Sequence, residues 1–234
     1  MINLESISKA FEYRTVLKNV DLDVQPNQSV FLCGINGAGK STLLRIAAGL
    51  LQPDRGAVRI CGRDMAAHPE IVAPSLGFIS HKSMIYADLT VTENLLFFAR
   101  LYALPNPKKR VEQILDELDL ADYRCDRAAI LSRGMMQRLS IARALIHQPS
   151  VLLADEPFTG LDAKASAHLA EVLSDFCRAD RALLMTTHDA ALGLKCCRRV
   201  VVLHQGNLVF DAPSNGIDPA AFAKDYLACT GAHR

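Results

Sequence analysis

Residues 29–51 read SVFLCGINGAGKSTLLRIAAGLL, and the rest of the chain is interpreted outward from them. Val30, Phe31, Leu32 and Cys33 form an apolar run with the length of a buried strand. It gives way to Gly34-Ile35-Asn36-Gly37-Ala38-Gly39-Lys40-Ser41, after which Leu43, Leu44, Ala47 and Leu50 recur at helical spacing. A strand, a glycine-rich loop ending in Lys-Ser and a helix together make a phosphate-binding loop.

The residue types fit that chemistry. Backbone N–H groups reach a polyphosphate only where side chains do not intervene, and Gly34, Gly37 and Gly39 leave that space and permit unusual φ values. The helix starting near Lys40 contributes its positive dipole end, and Lys40 a full charge for the β- and γ-phosphates. Ser41 offers a hydroxyl to Mg²⁺, a hard ion that takes oxygen ligands.

Further along, Val151-Leu152-Leu153-Ala154 predicts a buried strand ending in Asp155-Glu156. Carboxylates at the C-terminal edge of a parallel strand stand where α/β sheets bind ligands. Successive side chains on a strand diverge, so Asp155 is expected in the Mg²⁺ shell and Glu156 as the base acting on the attacking water. His188 follows the strand pattern ALLMTT and is a candidate γ-phosphate sensor at the same crevice. Phe11, within Phe11-Glu12-Tyr13 between two short strand patterns (2–8 and 20–24), is an aromatic that either stacks on a base or packs in a core.

Strands are also expected over 57–60 and 75–80, and a hairpin turning at Gln205-Gly206-Asn207. Between the phosphate loop and the acidic strand lies a helical stretch, starting at TENLLFFARLYAL with Thr92 as its N-cap, broken at Pro105 and Pro107 and resumed at VEQILDELDL. Ser132 is expected to cap the helix that begins in LSRGMMQR, where Gly134 in the first turn implies close approach of a phosphate to the backbone. The chain is therefore expected to be one α/β domain: residues 1–80 and 147–212 as a core with an antiparallel β edge, 81–146 as an inserted α-helical subdomain, and 213–234 as a short helix or tail.

Composition narrows the function classes. Twenty-six basic and twenty-five acidic residues leave a formal charge of +1, which argues against a nucleic-acid partner or broad attraction to anionic lipid. Seven cysteines without CxxC spacing read as reduced thiols of a cytosolic protein. No run approaches the ~20 apolar residues that span a bilayer, and the N-terminus lacks the basic and apolar regions of a signal peptide. Work at a membrane would need a partner to hold the chain there.

Together, GINGAGKS, a loop at His81 after a strand, LSRGM, VLLADE, Thr159-Gly160-Leu161-Asp162 and His188 occur in an order that resembles the ATP-binding subunit of ABC transporters, over residues 2 to about 212. The resemblance implies an α/β P-loop NTPase core with an antiparallel β edge and an inserted helical subdomain. It implies an ATPase using ATP and Mg²⁺, with Phe11 stacking on adenine and Gly34, Asn36, Gly37, Ala38, Gly39, Lys40, Ser41 and Thr42 around the phosphates. Glu156 matches the catalytic carboxylate, Asp155 and Ser41 the metal contacts, and His188 the switch histidine. Ser132, Gly134 and Met135 match the signature motif, which in this family meets nucleotide on the opposite subunit, and Asp162 the loop linking the two sites. The implied assembly is an ATP-sandwich dimer, of two copies or with a homologue. It would be peripheral on the cytoplasmic face of the inner membrane and joined to transmembrane subunits.

Two departures stand out. His81 occupies a position where the family usually has Gln, so a coupling role is expected there rather than metal contact. LSRGM replaces LSGGQ, so Arg133 adds bulk and charge and Met135 removes an amide. Within the family, ISHKSMIYADLTVTENLLFFARLY, LSRGMMQR and DEPFTGLD are most similar to the haem-exporter ATPase of bacterial cytochrome c maturation. ATPases of drug, lipid or polysaccharide exporters, a soluble iron–sulfur assembly ATPase and, outside the family, a P-loop kinase are the alternatives.

Overall fold

The computed structural model describes residues 1–80, 83–219 and 222. In chain order the elements are β1 (Ile2–Phe11), β2 (Arg14–Val24), β3 (Ser29–Cys33), α1 (Lys40–Ala47), β4 (Arg55–Ile60), β5 (Arg63–Asp64), α2 (Pro69–Val72), β6 (Leu76–Ile79), α3 (Val91–Leu101), α4 (Pro107–Glu117), α5 (Arg133–Leu145), β7 (Val151–Asp155), α6 (Ala163–Phe176), β8 (Ala182–Thr186), α7 (Ala190–Cys196), β9 (Arg199–His204) and β10 (Asn207–Pro213).

They form two sheets. One is four-stranded, in the order β2-β1-β4-β5, and antiparallel throughout. The other runs β10-β9-β3-β8-β7-β6 and is parallel except for its edge strand β10. Strands β3, β7 and β8 are buried along their whole length, which matches their continuous apolar sequence rather than an alternating one.

Period-two alternation divides these strands between two cores. Val30, Leu32, Val151, Leu153, Ala182 and Leu184 join α1 and the inner face of the antiparallel sheet. Phe31, Leu152, Ala154, Leu183 and Met185 face the other way, into a cluster continuous with Leu95, Ile114, Leu139 and Leu173 of α3 to α6. The helical stretch thus shares its core with one face of the parallel sheet.

Three local expectations are corrected. The first strands extend to Phe11 and from Arg14, so Glu12-Tyr13 is the tip of a hairpin. Thr90, not Thr92, caps α3: its hydroxyl accepts from the Glu93 amide (3.1 Å) while the Glu93 carboxylate accepts from the Thr90 amide (2.8 Å). That reciprocal box needs Glu three residues after the cap, which Thr90 has and Thr92 lacks. Pro107 does not belong to the break between the two helices but starts the second, at the first position, where its missing N–H has no cost. Of the short helix or tail expected over 213–234, residues 220, 221 and 223–234 lie outside the described residues, as does His81.

Candidate functional site

The sheet topology brings the chemistry to one edge. β3, β7 and β8 run parallel, so the loop after β3, the acids ending β7 and the His188 turn after β8 share the C-terminal side of the sheet. A cleft of about 460 Å³ opens there, lined by Phe11, Arg14, Val16, Asn36, Gly37, Gly39, Lys40, Ser41, Thr42, Glu156 and His188. That volume is in the range of small-molecule sites.

The loop is built tightly. Gly39 precedes α1 at φ 108, and a side chain there would also meet Leu17 Cδ2 at 2.9 Å, so the position needs glycine twice over. Gly34 is glycine for another reason than the one expected: a Cβ would lie 2.5 Å from the Leu203 carbonyl oxygen of β9. Ala38 is buried and its amide donates to Ile35 O at 3.1 Å, so its side chain packs inward rather than lining the cleft. Lys40 is buried too, and its Nζ donates to Gly34 O (2.6 Å) and Ile35 O (3.2 Å). Burial lowers its pKa, with the Glu156 charge acting in the opposite sense.

At the facing wall, Glu156 sits just past β7 at φ 55, a left-handed conformation uncommon for a residue with a side chain. Its amide donates to Thr186 O (3.1 Å) and Thr186 Oγ1 (3.2 Å), which hold the turn in place. Its carboxylate accepts from the His188 amide (3.0 Å) and lies 3.2 Å from His188 Nε2. Burial pushes the Glu156 pKa up, opposed by His188 and Lys40. Desolvation thus makes it a stronger base than a solvated carboxylate. Asp155 is buried, with Oδ1 accepting from Thr186 Oγ1 at 2.7 Å.

The signature residues do not join this cleft. Ser132 caps α5, accepting from the Met135 amide at 3.3 Å. A Cβ on Gly134 would meet the Gly160 carbonyl oxygen at 3.1 Å, so within the chain the approach that glycine permits is to the 159–162 loop. Asp162 caps α6, its carboxylate accepting from Ala165 N at 2.7 Å, a role its sequence position before an amphipathic run already signals. Arg14 and Val16 line the cleft without having been singled out. Only the hairpin register, which places Arg14 opposite Phe11, reveals them.

A family model described as ABC transporter matches residues 17–159. The chain belongs to the ABC transporter family. It is an ABC-type ATPase, with the ATP-binding and P-loop fold of that family. NatA, an ABC transporter ATP-binding protein of Bacillus subtilis, is 33% identical over 90% of this chain and 88% of its own length. The Nod factor export ATP-binding protein I of Paraburkholderia xenovorans is 33% identical over 98% and 76%. The phosphonates import ATP-binding protein PhnC of Stutzerimonas stutzeri is 34% identical over 91% and 84%. Among solved structures, an ATP binding subunit of an ABC transporter matches with a TM-score of 0.89 at 28% identity, covering 97% of this chain and 99% of its own. A cassette solved as a dimer in a post-hydrolysis state with ADP and Pi matches with a TM-score of 0.86 at 25% identity, over 93% and 100%. Among the described residues no helix is long and apolar enough to cross a membrane.

Proposed function

We propose that this ABC ATPase powers a membrane exporter by closing into an ATP-sandwich dimer, with a second copy or a homologous subunit. One observation carries the reading: the cleft holds a phosphate cradle and a poised carboxylate, yet Ser132 and Gly134 of the same chain are not part of it. A partner would complete each cleft with Ser132, Gly134 and Met135, so nucleotide binds the closed pair preferentially and shifts the equilibrium toward it. The dimeric form of the related cassette supports this arrangement.

Within each site Phe11 carries the base, Asn36 to Thr42 surround the phosphates, and Glu156 takes the proton of the attacking water while His188 holds the carboxylate in position. The donor set suits Mg²⁺. Ser41 lines the cleft, Asp155 stands behind it, and no cluster of three metal-binding side chains exists among the described residues. That is the pattern of an ion held chiefly by nucleotide phosphates and water. When bound, it would neutralise charge on the transferred phosphoryl group.

We take residues 1–80 and 147–212 as the core and 81–146 as the helical unit, and assign the membrane-facing surface to the latter. Tyr86, Phe97 and Phe98 form a half-exposed aromatic cluster with centroid separations of 5.2–6.3 Å. Buried Asn94 fixes it by accepting from Tyr86 N (2.9 Å) and donating to Tyr86 O (3.0 Å). We place the transmembrane subunits there, on the cytoplasmic face of the membrane, and keep for His81, which lies outside the described residues, the coupling role. The resemblance of ISHKSMIYADLTVTENLLFFARLY, LSRGMMQR and DEPFTGLD to the haem-exporter ATPase is what supports haem export in cytochrome c biogenesis as the role of the transporter. The relatives carry names of several other transporters, so export of a drug, lipid or polysaccharide is the second reading.

The deciding experiment is light scattering of Glu156→Gln with MgATP. A nucleotide-trapped dimer is expected, and a monomer at saturating nucleotide in the presence of the membrane partners would remove the sandwich. Lys40→Ala is expected to weaken ATP binding at least tenfold, from lost charge-assisted contacts of about 1.5–3 kcal/mol; normal affinity would remove nucleotide from this cleft. Bulky or charged changes at Tyr86 or Asp88 should abolish transport and spare ATP binding.

A further inference from the structure

The geometry points to Arg14 as a second phosphate-binding cation, delivered from the tip of the β1–β2 hairpin rather than from the phosphate loop. Phe11 and Arg14 are register partners across that hairpin, so both side chains leave the same face of the sheet. With Val16, which sits in the irregular step where the pairing passes from Ala10–Thr15 to Lys9–Leu17, they line the nucleotide cleft. The guanidinium reaches the phosphate loop itself: Arg14 Nη2 lies 3.7 Å from where a Cβ on Gly37 would stand.

Its charge has been left available. Lys9, on the same face, is neutralised by Asp54 at 2.7 Å. Arg14 is exposed, and among the described residues its guanidinium has no hydrogen bond or ion pair. Lys40, the other cation of the cleft, is buried and already bonded to two loop carbonyls.

The two cations therefore do different things. The ammonium of Lys40 is a point charge inside the loop, whereas a guanidinium presents a planar fork that takes two phosphate oxygens at once. Because Arg14 and Phe11 share one hairpin tip, a bound nucleotide would be gripped at its base and at its phosphates by the same element. Arg14 would thus make affinity rise with the number of phosphates and favour ATP over AMP.

The inference rests on nucleotide occupying this cleft, and the test separates the two claims. Equilibrium binding of ATP, ADP and AMP to the full chain is compared for the native protein, Arg14→Gln and Lys40→Ala. Arg14→Gln keeps the aliphatic stem and is expected to bind ATP about tenfold more weakly while AMP affinity changes little. Native ATP affinity in Arg14→Gln, or equal losses for ATP and AMP, would overturn the assignment. If Lys40→Ala also bound ATP normally, the site itself would be misplaced; a loss for Lys40→Ala alone would remove only Arg14. Arg14→Glu guards against a folding artefact. It reverses the charge at an exposed position, should weaken ATP further than Arg14→Gln without lowering the unfolding temperature, and would overturn the inference by binding ATP normally.

Discussion

The proposed nucleotide cleft and the helices between residues 91 and 145 solve different problems. At the cleft, Glu156 is held at φ 55 and Gly39 at φ 108, and a lysine and a glutamate are partly stripped of water. In the helical stretch, α3 and α5 begin with side-chain caps, α4 begins with proline, and buried polar groups bind carbonyls of neighbouring elements. Arg143 donates to Phe78 O (2.5 Å) and lies over the Phe98 ring at 5.6 Å. His147 bonds Leu76 O at 2.9 Å and stacks on Tyr102 at 3.8 Å. The first region stores strain and charge for chemistry; the second spends its residues on order. Substitutions should therefore separate, the cleft affecting turnover and the helices affecting stability.

The largest effect is expected at Glu156. Replacing it with Gln keeps the shape and the acceptor for the His188 amide but removes the proposed base, so ATP turnover should fall roughly 10²–10⁴-fold. The unfolding temperature should not fall, because the substitution also removes a partly buried charge. Steady-state phosphate release and calorimetry on one sample check both halves. A variant that melts early yet turns over normally would invert the comparison.

Arg143 tests the other side. It joins α5 to β6 and to the aromatic surface of α3 without touching the cleft. Arg143→Ala is expected to cost on the order of 2–3 kcal/mol, from a charged hydrogen bond and lost packing. Nucleotide affinity should be unchanged. Denaturant unfolding gives the first number and ATP titration the second.

How far each region could be read in advance follows a different divide, between signals complete within a few residues and contacts set by the tertiary fold. The strand of Val30 to Cys33, the glycine loop, the acids after Val151–Ala154, the Ser132 cap and the hairpin at Gln205-Gly206 are local signals, each complete within a few residues, and the structure has all of them. What escaped is non-local. Arg14 enters the cleft through cross-strand register, Gly34 is constrained by Leu203, and Gly134 by Gly160. No periodicity reports that Leu203 meets Gly34 or that Gly160 meets Gly134, or how the two strands of a hairpin pair. Thr90 was legible and lost to a competing signal: Thr92 also precedes an apolar run, and only Glu93 distinguishes the two.

Acid should loosen the helical side next. Burial lowers the His147 pKa from its ordinary 6.5 to about 4, with the Leu76 carbonyl opposing and Arg143 assisting. The unfolded chain then binds the proton more readily, so the neutral ring stabilises the fold above pH 6.5 and that contribution is lost as pH falls toward 4. Between pH 7 and pH 5 the loss should be about 2 kcal/mol. His147→Phe keeps a ring against Tyr102 and has nothing to protonate, so its stability should fall by about that much less over the same interval. Equal acid sensitivity in both proteins would discharge His147 from this role.

Thr90→Ala carries the smallest expected effect and the sharpest separation. It removes the hydroxyl that accepts from Glu93 N and leaves the Glu93 carboxylate with only the Thr90 backbone amide of the pair it now binds. Loss of such a cap costs about 1 kcal/mol. Thr90 also sits in a bridge with Arg127, between the Tyr86 segment and α3, so the loosening would be concentrated at the aromatic surface. Amide exchange should quicken in the first turn of α3 while exchange in α1 and ATP turnover by the isolated chain stay unchanged. Faster exchange in α1 would mean that the two regions share their stability after all, and the division drawn between them would have to be redrawn along the common core beneath β7.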